Sequence, residues 1–413
     1  MNLKLYIEKI RTWGLKGIAN FFLGKLKRLY YNWYFHSNAA KYPYKTPEYG
    51  ITLIADFHSD LSLNKVMRDL ALSLHDAGIP FQTFDTGSRK SLKALEADPY
   101  LTPRKDFRIM RFKTVVEMFS SPIPNDLGLN KSHILFWEFE SGLCESFPNV
   151  NSPDTVIAMS DFNADYFRRV LSPATPVKKI IYPFRFDIHD IAPAEEIRAK
   201  YHIRPSDFVV FFNFDYGSSF FRKNPDGVMK AFAMAFGEKA DARLVFKTIR
   251  AQEHRREQDK LNKLADSLGI SSRFISIDNY IPQKDLYGLA NACDVYISLH
   301  RGEGFGLGIA EAMSFGKPVI VSDYSAPKEF CNDNTAFLIP CSSINISKEQ
   351  HDHPCYTYVK SCADPDLSAA AKALRLCYDD RPLSRTTGAR GKAFIEKHFS
   401  LAAFKKSITT FLG

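Results

Sequence analysis

From Phe208 to Ser322 the chain alternates between short apolar runs and longer amphipathic ones, and that alternation restricts its fold more than any other feature. Strands are expected at Phe208–Phe214, Arg243–Lys247, Arg273–Ile277, Asp294–Leu299 and Pro318–Ser322. Helices are expected over Asn224–Phe236, Gln252–Leu268 and Lys284–Ala292, and again after the glycine-rich stretch that follows Leu299. Period-two and period-3.6 segments in strict rotation imply parallel strands joined by right-handed crossovers. Before the break at IYPFRFD (Ile181–Asp187) the same grammar holds. Strands are expected at Ile51–Asp56, Ile79–Asp85, His133–Trp137 and Thr155–Met159, with a helix over Leu63–Ala77 ended by Gly78. A chain of 413 residues exceeds what one core usually fills. The expectation is an α/β protein of two doubly wound, Rossmann-like domains facing a central cleft, with the ligand beyond the carboxyl ends of the strands.

The expected organisation is a basic amphipathic segment over 1–45, a first domain over 46–188, a second over 189–389 and a C-terminal helix over 390–413 that could pack across either domain. The net charge of +9 implies an anionic partner. Much of the excess sits in residues 1–35, where Lys4, Lys9, Arg11, Lys16, Lys25, Lys27 and Arg28 alternate with Ile7, Trp13, Phe21, Phe22 and Trp33. This segment could lie on an anionic bilayer, or its apolar residues could dock on the protein body. Charges interrupt every apolar run in it, so neither a signal peptide nor a spanning helix is expected. The body of the chain has no basic stripe with interleaved aromatics, so nucleic acid is not the expected partner. Seven cysteines without C-x-x-C spacing read as reduced, structural thiols in a cytoplasmic protein.

The chemistry concentrates in RGEGFGLGIAEAM, from Arg301 to Met313. Gly302, Gly304, Gly306 and Gly308 remove side chains just past the apolar strand DVYISL. Backbone N–H groups there can approach an anion, and a helix beginning near Gly306 or Leu307 points its positive end at the same place. The expected anion is a diphosphate. Glu303 would repel phosphate and suits sugar hydroxyls instead, and Glu311, a turn into the helix, suits a ribose. The plainer reading is a strand-to-helix turn with Glu311 as a surface charge. Arg222 and Lys223, in the loop after Phe208–Phe214, are two cations that could stabilise charge growing on a departing diphosphate; they could also be an ordinary polar loop. Asp364 and Asp366, flanking Pro365, read as helix N-caps, and His351, Asp352 and His353 near Cys355 lack an evident fourth ligand, so no metal is expected.

The run HRGEGFGLGIAEAMSFGKPVI (His300–Ile320) resembles the E-x7-E signature of the retaining glycosyltransferases of family 4, which have the GT-B fold. FDYGSSFFRKNPDGVMKAF (Phe214–Phe232) is similar to that family's donor-phosphate segment, and LFWE (Leu135–Glu138) and AMS (Ala158–Ser160) resemble its acceptor-side domain. The resemblance spans residues 50 to 400 and is stronger in the second domain. It implies a metal-independent hexosyltransferase without a cofactor that takes a nucleotide diphosphate sugar as donor. The acceptor would be a glycan or lipid-linked molecule in surface polysaccharide or lipopolysaccharide synthesis, reached from the inner face of the cytoplasmic membrane. Arg222, Lys223 and Glu303 would be catalytic; Gly304, Phe305, Gly306, Leu307, Glu311 and Ile281 would hold the donor, with the base read by backbone groups near Tyr280 and Ile281. No protein nucleophile is implied. His58, Asp56 and Glu138, with Asp161, are the acceptor-side candidates. Two departures stand out: Ser62 and Asn64 occupy positions where the family has glycines, and Gly217 lies where it often has an arginine six residues before the lysine. These leave a catalytically silent sugar-nucleotide binder as the alternative.

Overall fold

The computed structural model describes residues 48–57, 62–85, 112–118, 129–147, 150, 153–182, 184, 191–237, 241–347 and 350–413. The segment over 1–45 and His58 lie outside these residues.

The first sheet is six-stranded and parallel: β1 (Glu48–Ala55), β2 (Phe81–Asp85), β3 (Phe112–Met118), β4 (Asn130–Ile134), β5 (Thr155–Ala158) and β6 (Val177–Lys179), in the order β2-β1-β3-β4-β5-β6. Helix α1 (Ser62–Asp76) covers β1 and β2 with Val66, Met67, Leu70 and Leu74, all buried, as its apolar spacing requires. In register, Leu53 lies between Thr83 and Val116. Strand β3 was not expected, because Lys113 and Glu117 interrupt its apolar run; Val115 and Val116 at its centre are nonetheless buried. The expected strand over His133–Trp137 is shifted: β4 ends at Ile134, and Leu135 to Glu138 leave the sheet toward the second domain. Strand β6 was also missed, since its sequence is VKK on an exposed edge. After β4 come the short helix α2 (Leu143–Ser146) and, after β5, α3 (Asp161–Val170), capped by Ser160, whose side chain accepts from Asn163 N.

The second sheet opens after α4 (Ala194–Lys200). Its strands are β7 (Phe208–Asp215), β8 (Ala242–Ile249), β9 (Phe274–Asp278), β10 (Val295–Ser298), β11 (Val319–Ser322) and β12 (Phe337–Ile339), ordered β12-β11-β10-β7-β8-β9 and all parallel. The helices between them are α5 (Phe220–Lys223), α6 (Pro225–Phe236), α7 (Arg255–Ser267), α8 (Gln283–Ala292) and α9 (Leu307–Ser314). Near-continuous burial along β7, β10 and β11 is the mark of parallel strands covered on both faces. The strand order reverses between β7 and β10, so the loops after these two strands meet at the switch point where such sheets bind ligands.

A hairpin of β13 (Cys341–Asn345) and β14 (Ser361–Pro365) follows, then α10 (Leu367–Asp379). Of the two aspartates read as caps, only Asp366 is one, accepting from Ser368 N and Ala369 N; Asp364 sits in β14 and pairs with Arg301 at 3.1 Å. The helical run expected over 390–412 is two helices, α11 (Arg381–His398) and α12 (Leu401–Leu412), divided at Phe399 and Ser400, where Ser400 caps the second. Helix α12 packs on α1 of the first domain; Ser407 Oγ accepts from Ile181 N at 3.0 Å, and Lys178 Nζ donates to Phe411 O at 3.2 Å.

Candidate functional site

The site is assembled at the switch point of the second sheet. Just after β7, Asp215 accepts from Gly217 N, and the chain turns through Ser219, whose φ of 71° is left-handed, into α5. Asn224 (φ 54°, ψ 47°) ends α5, caps α6 and donates through Nδ2 to Leu299 O at 2.8 Å, binding the loop after β7 to the end of β10. Arg301 N completes the link by donating to Arg222 O at 2.8 Å. Arg222, Lys223 and Glu303 are thereby fixed side by side.

Their electrostatics are tightly interlocked. Arg222 is buried; Nη1 donates to Gly302 O at 2.9 Å and lies 3.3 Å from Glu303 Oε1, while Nη2 donates to Ser218 O and lies 3.9 Å from Glu138 Oε1. Its Nε is buried without an acceptor among the described residues. Lys223 Nζ donates to Glu303 Oε1. Burial would push the Glu303 carboxyl up, but Lys223 and Arg222 outweigh it and hold it down at about 2. Burial raises the Glu138 carboxyl, against the pull of Arg222, and the Tyr356 hydroxyl hydrogen-bonds it. The Arg222 guanidinium lies 5.8 Å from the Tyr356 ring centroid. His300, fully buried, is drawn down to about 4 by burial; its Nε2 is 3.1 Å from Tyr324 O, and its Nδ1 is 3.2 Å from Ser298 Oγ.

Glu311 stands apart from this trio. Burial lifts its carboxyl to about 7, although Lys65 of α1, with Nζ 4.0 Å from Oε1, pulls the other way. Lys65 in turn pairs with Asp69 at 2.5 Å, and Asp69 accepts from the Tyr182 hydroxyl. Glu311 therefore faces the first domain and not bulk water.

The glycines divide into two roles. At Gly302 an added Cβ would lie 2.6 Å from Glu138 O, and at Gly304 it would lie 3.0 Å from the Phe136 Cβ. The missing side chains of these two have a further use that the sequence did not show: they let the two domains touch. Asn163 seals the contact, accepting from Trp137 N through Oδ1 and donating to Gly304 O through Nδ2, both at 2.7 Å. Gly306, at φ 90°, is the N-cap of α9 and places no side chain over its first turn, and a Cβ at Gly308 would lie 2.7 Å from Asn213 Oδ1. From Gly304 through Gly308 the backbone N–H groups have no acceptor among the described residues. Runs of orphaned donors on largely buried backbone are rare unless an anion or water takes them up.

The remaining expected residues scatter. The Phe305 ring is buried between Tyr182 (5.3 Å between centroids), Phe184 (5.5 Å) and Phe330 (5.6 Å), so only its backbone faces the site. Leu307 is half-buried at the mouth of α9, and Ile281 is half-buried beyond β9 beside the exposed Tyr280. Asp56 is half-buried at the end of β1. Asp161 is exposed, pairs with Lys179 at 2.8 Å, and donates through its backbone to Glu329 of the second domain. His351, Asp352 and His353 do not converge. His351 Nδ1 is bound at Tyr356 O, His353 Nδ1 accepts from Cys355 N, and Asp352 accepts from Ser219 Oγ at 2.6 Å and Phe221 N at 2.7 Å. Among the described residues no group of three or more His, Cys, Asp or Glu side chains is placed to hold a metal ion.

Three contributors were missed, Lys65, Asn163 and Tyr356, and Asp352, weighed only as a metal ligand, instead holds Ser219 and Phe221. Only Asn163 left a signal, as the third helical residue after the capping Ser160. The gap noted at Gly217 is also filled. A Cβ there would lie 2.3 Å from the Arg250 guanidinium, which Asp215 grips through Oδ1 at 2.7 Å from Nε. Arg250, delivered from the end of β8 in a left-handed conformation (φ 66°), occupies the space a side chain at 217 would need.

Residues 193–350 match the family described as glycosyl transferases group 1, a span that takes in Arg222, Lys223, Glu303 and Glu311. The chain is 27% identical over 197 residues to the O-antigen chain mannosyltransferase B of Escherichia coli, a match covering 47% of this chain and 49% of that one. It thus spans about half the length of that relative. Among solved structures, it is similar to sucrose-phosphate synthase from Thermosynechococcus elongatus (TM-score 0.65, 18% identity, 88% of this chain and 98% of that one). It is also similar to Anabaena Alr3699/HepE, solved in complex with UDP and glucose (TM-score 0.61, 15% identity, 88% and 99%). The architecture is that of two Rossmann-like domains in the GT-B arrangement.

Proposed function

We propose that this chain is a retaining, metal-independent hexosyltransferase of the E-x7-E type that acts in surface polysaccharide synthesis. The observation that carries the reading is the meeting, at one switch point, of five consecutive N–H groups without acceptors among the described residues (Gly304–Gly308), the N-terminus of α9 and the cations Arg222 and Lys223. That combination suits a diphosphate. Supporting it are the match to glycosyl transferases group 1 over these residues and the resemblance to an O-antigen mannosyltransferase.

In the proposed reaction the bond between the anomeric carbon and the diphosphate oxygen breaks. Arg222 and Lys223 stabilise the negative charge released. The acceptor hydroxyl forms the new bond on the face the diphosphate leaves, and its proton passes to a diphosphate oxygen. Glu303 holds hydroxyls of the transferred sugar as Lys223 turns toward phosphate, and Glu311 accepts from the ribose. Neither cofactor nor metal takes part. The acceptor is a glycan or lipid-linked molecule at the inner face of the cytoplasmic membrane. The contact in this reading is peripheral, through the basic segment over 1–35; among the described residues, which do not include that segment, no helix is long and apolar enough to cross a membrane.

The test is turnover of UDP-, GDP- and dTDP-hexoses, mannosyl donors first, with release of nucleoside diphosphate as the readout. Release with one donor supports the reading. Tight nucleotide binding with no release from any donor and acceptor leaves the silent binder.

A further inference from the structure

Away from Arg222, Lys223, Glu303 and Glu311, a cavity of about 610 Å³ opens between β6, at the edge of the first sheet, and the two C-terminal helices. One face of α12 forms its wall: Ala403, Lys406, Ser407, Thr410 and Phe411 follow the spacing of a single helical stripe. Opposite lie Val177, Ile181 and the lysines of β6. Among the described residues, five lysines or arginines and one histidine line the cavity, and no carboxylate does.

Their charges are not all spent internally. Lys179 is neutralised by Asp161 and Glu329, and Arg168 by Asp165 at 2.9 Å. Lys178 Nζ is satisfied by the carbonyl of Phe411 and lies 5.3 Å from that residue's ring centroid, which leaves its charge uncompensated. Lys397 and Lys406, both exposed at the rim, have no carboxylate partner among the described residues. Among the described residues, three ammonium groups without a carboxylate partner thus surround an apolar floor of Val177, Ile181, Ala403 and Phe411. The volume falls within the usual range for small-molecule sites, about 300–1,000 Å³. It is more than an isolated phosphate ion needs.

From this geometry we infer a second binding site, for the phosphate ester of a carbon skeleton: the phosphate is held by Lys178, Lys397 and Lys406, and its carbon chain lies on Phe411 and Ile181. Such an ester comes from a membrane lipid headgroup or from a soluble sugar phosphate. The site does not depend on the proposed transferase activity.

The experiment titrates the full-length protein with short-chain phosphatidic acid and with glucose 1-phosphate, and floats it with phosphatidylcholine vesicles with or without phosphatidylglycerol. A lysine near an anionic surface contributes about a fivefold gain in affinity, so Lys397→Gln with Lys406→Gln is expected to weaken binding about 25-fold. Lys397→Glu with Lys406→Glu should abolish it. Nucleoside diphosphate affinity, measured on the same samples, should not change, which also reports that the variants are folded. Loss for phosphatidic acid and anionic vesicles assigns a lipid headgroup; loss for glucose 1-phosphate alone assigns a soluble ester. Wild-type affinity for both ligands in both variants, or no binding by the wild type, overturns the inference.

Discussion

Lys223 donates to the same carboxylate oxygen of Glu303 that Arg222 approaches at 3.3 Å, so one carboxylate is shared by two adjacent cations at the start of the glycine-rich turn. Arg222 and Lys223 come from α5 and Glu303 from the glycine-rich loop; Arg222 and Glu303 are buried and Lys223 is half-buried beside them. Glu303 supplies negative charge to the same two cations that are proposed to meet a diphosphate.

Lys223→Ala should therefore lower turnover much more than it lowers stability. Loss of one preorganised electrostatic contact costs about 3 kcal/mol of barrier, on the order of a hundredfold or more in rate. Steady-state kinetics with the best donor, beside urea denaturation of the same variant, separates the two effects. A variant that retains wild-type kcat would remove Lys223 from the chemistry.

Glu303→Gln leaves two cations buried without their carboxylate and should cost about 3 kcal/mol at pH 7, read by urea denaturation. The sign with pH follows from the depressed carboxyl. Its value is about 2 in the fold against an ordinary 4.5, so its stabilising contribution is present above 4.5 and lost as pH falls through 2. The gap between wild type and variant should accordingly shrink in acid. Saturating nucleoside diphosphate at neutral pH should also narrow it, since phosphate replaces the missing charge.

Glu311 carries the opposite sign. Burial raises its carboxyl to about 7 from 4.5, so the protonated form suits the fold and stability declines as pH rises from 4.5 through 7. The decline attributable to this group is at most about 3 kcal/mol. Glu311→Gln should flatten the melting temperature between pH 5 and 8 relative to wild type, and should weaken nucleotide binding if the ribose role is right. Unchanged affinity in calorimetry would leave only the pairing with Lys65.

Gly302→Ala tests the domain contact. The new methyl would lie 2.6 Å from the Glu138 carbonyl oxygen, a backbone atom that cannot swing aside. A cost of about 1–3 kcal/mol in denaturant unfolding is expected. Gly316→Ala is the comparison for backbone strain, since an added Cβ there meets only Lys392 Cδ at 3.7 Å, while its φ of 70° carries the left-handed penalty.

The two parallel sheets, their helices and the place of Arg222, Lys223 and Glu303 in loops after strands were legible in the sequence, because local periodicity reports on itself; that Glu303 pairs with both cations was not. Strands β3 and β6 were not, since lysines and a glutamate interrupt their apolar pattern and pairing with neighbours alone makes them strands. Tertiary structure alone decided why Gly302 and Gly304 are glycines, that Lys65 faces Glu311, that Arg250 fills the space beside Gly217, and that lysines from β6, α11 and α12 share one cavity. Each of these joins residues far apart in the chain, where no spacing rule operates and only packing, within the second domain for Arg250 and Gly217 and between domains for Gly302, Gly304 and Lys65, sets the distance.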